Sequence, residues 1–324
     1  MSRILGLIVG LTLGLFALPL GPDAQQARRP YRVGVLHAAY FPSIPPIEGL
    51  KAGVKATGLE EGRDVTFDIR FTRGNLQALP GAAAALVKEN VDLIFTFDEP
   101  PTRAAKAASA AIPVVFTSVG DPVAAGLVKS IARPGGNVTG VSSLATELVP
   151  KRLEVLKAFV PGLRRVWAIY HADDVSAAAA ARKAQEVAPV LKLEVMARPV
   201  RTEQELVENL KRLLPGDGLL TPPTVTMNIP GLILDLELAG KWPAVSFSTF
   251  WVEAGALTSY GSDPAADGFQ AARLAVKILR GARPEDLPVE GSNKIEFAVN
   301  LRMARGLGLT IPPGIIARVD KVVE

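Results

Sequence analysis

The chain has two histidines, His37 and His171, and each stands where an apolar run of strand length ends. The first run is Arg32-Val33-Gly34-Val35-Leu36-His37-Ala38. The second, about 130 residues later, is Arg165-Val166-Trp167-Ala168-Ile169-Tyr170-His171-Ala172. An imidazole at the carboxyl end of a strand can exchange a proton, bond a polar ligand or hold a metal, and in α/β folds ligands bind beyond those ends. Other polar and aromatic residues end similar runs. The first half offers Tyr40, Phe41, Asp98, Glu99, Ser118 and Asp121 beside His37. The second offers Tyr170, Asp173, Asp174, Thr221, Thr224, Phe250, Trp251 and Glu253 beside His171. Three of the four tyrosines (Tyr40, Tyr170 and Tyr260) lie at such ends. Aromatic walls bury flat ligands and still bond them at one edge.

Acids outnumber bases in this set, and Arg103 is the nearest arginine. That favours a ligand with an amino group over a polyanion. A zwitterion fits, its ammonium on an acid and its carboxylate on helix-start amides and Ser118. The expected ligand contacts are His37, Tyr40, Glu99, Ser118, Asp121, Tyr170, His171, Asp173, Thr221 and Trp251. Catalysis has little to build on. There is no cysteine, and neither His-x-x-x-His nor Gly-x-Ser-x-Gly occurs. The two histidines could meet only across a cleft, where Asp173 would complete a metal site. The expectation is a binder with no catalytic residues, no metal and no cofactor. An α/β enzyme acting on a small molecule is the competing class.

The elements that would carry these residues alternate. Strands are predicted at Val33–Leu36, Val65–Phe71, Leu93–Phe97 and Val114–Thr117, with helices at Ile47–Gly58, Leu79–Asn90 and Pro101–Ala110 between them. The second half repeats the pattern. Strands fall at Val166–Tyr170, Leu193–Arg198, Gly218–Leu220, Ala244–Phe247 and Ala256–Tyr260. Helices fall at Pro150–Phe159, Ser176–Ala188, Thr202–Leu214 and Ile229–Ala239. A helix over Ala265–Arg280, a strand over Lys294–Asn300 and a short helix over Leu301–Leu307 complete the chain. Such alternation builds parallel sheets with helical crossovers, and two units side by side leave a cleft. Glu99-Pro100, Asp121-Pro122 and Asp263-Pro264 each read as a helix start, an acidic cap followed by proline. Arg133–Gly140 lacks the lysine and hydroxyl of a P-loop and is expected to be the first crossing between the lobes.

The composition is globular, 48% hydrophobic and 21% charged, with a net charge of +4. The basic residues are scattered without interleaved aromatics, which argues against nucleic acid as partner. Met1-Ser2-Arg3 precedes an uncharged run, Ile4 to Leu18, broken by Pro19-Leu20-Gly21-Pro22 and followed by Ala24 and Ala27. This has the outline of a signal peptide over residues 1–27, cleaved between Gln25 and Arg28. Without cysteine there is no disulfide and no thioether-linked lipid, so the expected location is free in a periplasm.

With the segments in place, several motifs carry a resemblance. They are Ala111-Ile-Pro-Val-Val-Phe-Thr117, Gly120-Asp121-Pro122-Val123 with Gly126-Leu127-Val128, Arg133-Pro-Gly-Gly-Asn-Val-Thr-Gly140, Glu253-Ala-Gly-Ala-Leu-Thr-Ser-Tyr-Gly261 and Gly308-Leu-Thr-Ile-Pro-Pro313. Together they resemble the ABC-transporter substrate-binding proteins of the tryptophan/tyrosine-binding type, from about Arg29 to Glu324. The resemblance implies a type I periplasmic-binding fold, α/β, with two Rossmann-like lobes joined by three crossings. It implies lobes at 30–141 plus about 262–290 and at 142–261 plus about 291–324. It further implies a monomer that closes on a small ligand, an aromatic amino acid or related amine, and docks on a membrane permease. A ligand-sensing domain of a receptor would read the same way. One position departs from the family. Where its members usually carry Thr-Pro or Ser-Pro, this chain has Glu99-Pro100, which implies either a ligand other than the usual one or a ligand's amino group moved to this side.

Overall fold

The computed structural model describes residues 29–221 and 231–324. The leader over residues 1–27 and Thr224 lie outside them. In chain order the elements are β1 (Tyr31–His37), α1 (Pro45–Ala56), β2 (Val65–Phe71), α2 (Leu79–Lys88), β3 (Leu93–Phe97), α3 (Glu99–Ala108), β4 (Val114–Val119) and β5 (Val138–Ser142). Then follow α4 (Val149–Phe159), β6 (Arg165–His171), α5 (Val175–Val187), β7 (Glu194–Val200), α6 (Glu203–Leu210), β8 (Gly218–Leu220), α7 (Leu232–Gly240), β9 (Ala244–Ser248), α8 (Thr249–Glu253) and β10 (Thr258–Ser262). The last are α9 (Pro264–Leu279), β11 (Glu290–Gly291), β12 (Ile295–Asn300), α10 (Leu301–Gly306), α11 (Pro313–Ile316) and β13 (Lys321–Val323).

These strands form two sheets. One is ordered β11-β5-β4-β3-β1-β2 and the other β13-β12-β10-β9-β8-β6-β7. The orders β2-β1-β3-β4-β5 and β7-β6-β8-β9-β10 are the same five-strand pattern. The two runs that end in histidine, β1 and β6, are therefore topological equivalents. Each sheet reverses its winding beside that strand, which is where α/β sheets open a ligand crevice. The first sheet is parallel throughout. The second departs from the expectation at one pair, because β12 runs antiparallel to β10. The reason is its route. β12 enters from the other lobe at the cleft end, so it must run back along its neighbour.

The chain passes between the sheets three times, after Ser142, after Ser262 and after Gly291. The passages are tied together. Ser292 N donates to Ser142 O at 2.8 Å and Asp263 N to Lys294 O at 3.1 Å. Lys294 Nζ pairs with Asp263 Oδ2 at 2.7 Å. Arg133–Gly140 is not the first crossing. Its last residues enter β5, which pairs with β4 inside the first sheet. Asn137 Nδ2 donates to Ser109 O and Ile112 O at 2.8 and 2.7 Å, pinning the turn before β4. The Val-Thr-Gly of that motif is a buried strand, which a short apolar stretch beside glycines disguises.

Each sheet is covered on both faces, as parallel strands require. Val33, Val35, Leu93 and Phe95 pack against Ile47, Leu50 and Val54 of α1 and Ala271, Ala272 and Ala275 of α9. α1 and α9 meet backbone to backbone. A Cβ at Gly49 would stand 1.9 Å from Ala265 O, and one at Gly268 would stand 2.0 Å from Pro46 O. This contact brings α9 back onto the first lobe after the chain has built the second. In the second lobe, Asp217 takes both Arg165 Nε and Nη2 at 2.8 Å and Trp167 Nε1 at 3.0 Å, fixing β6 to the entry of β8. Among the described residues no helix is long and apolar enough to cross a membrane.

Candidate ligand-binding site

The carboxyl ends of the two sheets face each other across a central cavity. β3 and the start of α3 give it Asp98 and Glu99, and β4 gives Ser118. The first crossing gives Ser143 and Ala145. Asp174 and Ser176 come from the β6–α5 turn, Phe247 and Ser248 from β9, and Ser262 from the second crossing. Two of these residues hold uncommon backbone conformations. Asp98 has φ 74° and Ser118 has φ 62°, a region costly for any residue but glycine. Such strain gathers at ligand sites, where the surroundings over-determine it. Here Thr102 Oγ1 donates to Asp98 O at 2.6 Å, within a buried pair with Thr96 Oγ1 at 2.8 Å. That fixes the β3–α3 turn and aims its acids at the cavity.

Glu99 is 4% exposed. Its Oε1 accepts from Arg103 Nη2 at 2.5 Å, and its Oε2 accepts from Ser176 N, in the first turn of α5, at 3.0 Å. The carboxylate thus joins the lobes. Asp174 Oδ1 caps α5 by accepting from Ala177 N at 2.8 Å.

An apolar chamber lies on the second-lobe side of the cavity. Both are lined by Ala145, Ala177 and Phe247. The chamber adds Val149 and Arg152 of α4, Ala168 and Tyr170 of β6, Ala180 and Ala181 of α5, and Leu220 and Thr221 at the end of β8. Cavity and chamber each hold about 30 Å³, room for one or two waters. An open groove of about 820 Å³ lies outside Glu99, lined by Tyr40, Arg103, His171, Asp173 and Arg201 among others.

The structure gathers most of the expected residues, in three places. Glu99 and Ser118 line the central cavity, Tyr170 and Thr221 the chamber, and Tyr40, Glu99, His171 and Asp173 the groove. Asp173 is exposed there, and its bond from Arg201 Nη1 at 2.5 Å holds its carboxyl below the usual range. His171 Nδ1 accepts from Asp173 N at 3.2 Å.

Three expected residues lie elsewhere. His37 is 0% exposed and stacks on Phe71, centroids 5.9 Å apart, because the two pair in register on β1 and β2 and share a face. Burial pulls its imidazole down to about 4, so it is neutral core. Asp121 starts no α-helix. Its Oδ1 accepts from Val123 N and Ala124 N at 3.2 and 2.9 Å and caps a turn. Trp251 sits on α8, a helix the sequence does not announce. It lines a separate void of about 10 Å³ with Ile233 and Glu237. Among the described residues no three His, Asp or Glu side chains cluster as metal ligands.

Sequence reading missed the serines at 143, 176, 248 and 262, and above all Arg152. This guanidinium is 5% exposed, and its Nε and Nη1 donate to Tyr260 O and Ala145 O at 2.7 and 2.8 Å. A signal was present. Val149, Leu153 and Leu156 form the buried stripe of α4, and Arg152 interrupts it.

Two Rossmann-like lobes, three tied crossings and an interlobe cavity define a hinged solute receptor. The chain belongs to the ABC transporter substrate binding protein family, whose profile matches residues 33–323. A tyrosine-binding protein from Clostridioides difficile is 26% identical over 313 residues, covering 92% of this chain and 90% of the relative. A Streptococcus pneumoniae ABC domain in complex with L-Trp superimposes with TM-score 0.82 at 24% identity, over 91% of this chain and 100% of the other. The ligand-free, open structure of a Clostridium difficile substrate-binding protein with adhesive properties gives TM-score 0.67 at 26% identity, over 90% and 99%.

Proposed function

We propose that this substrate-binding protein captures an aromatic amino acid, tyrosine or a close analogue, between its lobes and presents it unaltered to a membrane permease. The observation that carries the reading is the pairing of the two cavities. One is lined by hydroxyls and by the acids Asp98, Glu99 and Asp174. The other is walled by alanines, Tyr170 and Phe247. The ammonium of an amino acid suits the first, and a flat ring the second, whose wall also carries Arg152 and Thr221. The tyrosine-binding relative, aligned over 92% of the chain, supports the same choice.

The test is calorimetric titration with L-tyrosine, L-tryptophan and L-phenylalanine, set against aliphatic amino acids and sugars. The bound aromatic should stabilise the protein by about 2.7 kcal/mol at a hundredfold excess over its dissociation constant. Scattering should show a more compact particle, and mass spectrometry should return the ligand unchanged. Preference for an aliphatic amino acid or a sugar would overturn the ligand assignment. A chemically altered ligand would overturn the non-catalytic role.

Export follows from the same reading. The charge-free run from Ile4 to Leu18 and the small residues after it support a leader cleaved between Gln25 and Arg28. Amino-terminal sequencing of protein from the periplasm checks this, and an intact leader would refute it.

A further inference from the structure

Arg152 is a buried cation with no carboxylate of its own. Its side chain makes no ion pair among the described residues, and its two hydrogen bonds go to uncharged carbonyls. Nη2 is buried and has no hydrogen-bond partner. On β10, Gly261 stands beside it with no side chain, and a Cβ there would come within 3.2 Å. Thr221 Oγ1, on the wall of the same chamber, is also buried and unpartnered. Burial pulls the guanidinium down to about 10, with the Glu147 charge opposing in part. A guanidinium taken out of water without a hydrogen-bonded counter-charge, here with only the Glu147 charge in range, is among the costlier arrangements a fold can hold.

We propose that Arg152 is the anchor for the carboxylate of the ligand, with Thr221 as a second donor. This rests on the reading of the joined cavities as the seat of an amino acid. A phenol or carbonyl oxygen would fill the open donor and leave the charge uncompensated, whereas a carboxylate does both and suits the planar fork of arginine. The place also fits. Nη1 bonds Ala145 O, and Ala145 lines both cavities. The cation therefore stands on the chamber side, beside a residue that both cavities share, with Glu99 and Asp174 on the polar side. An amino acid carries ammonium and carboxylate on one carbon, so it needs an acid and a base disposed in this way. The carboxylate thus goes to a side chain of α4 and not, as the acid-rich strand ends suggest, to helix-start amides.

Arg152 also ties Ala145 to Tyr260, at the approaches to two crossings, so removing it can loosen the hinge. The experiment must separate the two roles. L-tyrosine and L-tryptophan are titrated against tyramine and tryptamine, which keep ring and ammonium and lack the carboxylate. The remaining L-amino acids are titrated against their amides. Each set is run on the mature wild type, Arg152→Met and Arg152→Lys. Wild type should bind the acids about ten- to a hundredfold more tightly than the decarboxylated amines or the amides. Arg152→Met should close that gap, and Arg152→Lys should reopen part of it. A purely structural arginine would weaken acid and amine alike and leave the gap. That result overturns the proposal, as does tyramine binding wild type as tightly as L-tyrosine. If no aromatic amino acid binds but another does, with a gap that Arg152→Met closes, the ligand assignment fails and the anchor stands. If no carboxylate in the set binds, the anchor is wrong.

Discussion

The Glu99 carboxylate of α3 accepts the backbone amide of Ser176 in the first turn of α5 at 3.0 Å, bonding one lobe to the other. Ser176 strengthens the junction through its hydroxyl, which lies 3.3 Å from Asp121 N and 3.4 Å from Asp121 O. A charged acceptor on free amides at a helix start is a favourable pairing. The pairing joins the two lobes directly, so any motion that parts them must break it.

Glu99→Gln tests what the charge does. The amide keeps an oxygen for Ser176 N and removes the anion facing the cavity. If Glu99 also receives the ligand ammonium, affinity for L-tyrosine should fall about tenfold or more, from a charged bond of roughly 1.5–3 kcal/mol. A ligand without an amino group, such as 3-(4-hydroxyphenyl)propionate, should bind the two proteins alike. Calorimetry decides, and unchanged L-tyrosine affinity would leave Glu99 as an interlobe tie alone.

The α1–α9 contact predicts a reversal of a common rule. Alanine in place of a mid-helix glycine ordinarily stabilises by up to about 1 kcal/mol. At Gly268 the new Cβ would stand 2.0 Å from Pro46 O, which is backbone and cannot step aside. Gly268→Ala should therefore cost about 1–3 kcal/mol, as overpacking does. Gly81 in α2 has nothing within 4 Å of its would-be Cβ, so Gly81→Ala should be neutral or stabilising. Denaturant unfolding of both variants is the check. Equal midpoints would mean that the helices do not meet as described.

Periodicity exposed the repeated α/β plan because parallel strands buried on both faces leave near-continuous apolar runs, as at Leu93–Phe97, where only Thr96 interrupts. β5 escaped notice because Val-Thr-Gly-Val-Ser has only two large apolar residues, Val138 and Val141, one on each face, and sits beside turn residues. The site was legible in part, for a related reason. Strand ends can be read from sequence, which placed Glu99, Ser118, Tyr170 and Thr221 at cavities. The direction of a side chain at such an end depends on pleat and register, which turned His37 onto Phe71. Arg152 was hidden because a helix face, not a strand end, delivers it. The serines at 143 and 262 lie on crossings whose course only the tertiary fold sets.

The second lobe also carries a buried acid whose titration should be visible in stability. Glu237 is 0% exposed, and its Oε1 accepts from Ala244 N at 2.9 Å. Burial pushes its carboxyl up to about 8, against an ordinary value of 4.5. Between those values the folded protein holds a proton that the unfolded chain has released. The contribution to stability is therefore complete below about pH 4.5 and is lost as pH rises through about 8. One proton limits the slope to about 1.4 kcal/mol per pH unit. Glu237→Gln keeps the carbonyl for Ala244 N and removes the titration. Its melting temperature should depend less on pH than that of wild type across this window, and should exceed it above pH 8. Thermal unfolding of both proteins from pH 5 to 9 measures this. Parallel curves would show that Glu237 is ionised in the folded state and meets more water or counter-charge than its burial beside β9 suggests.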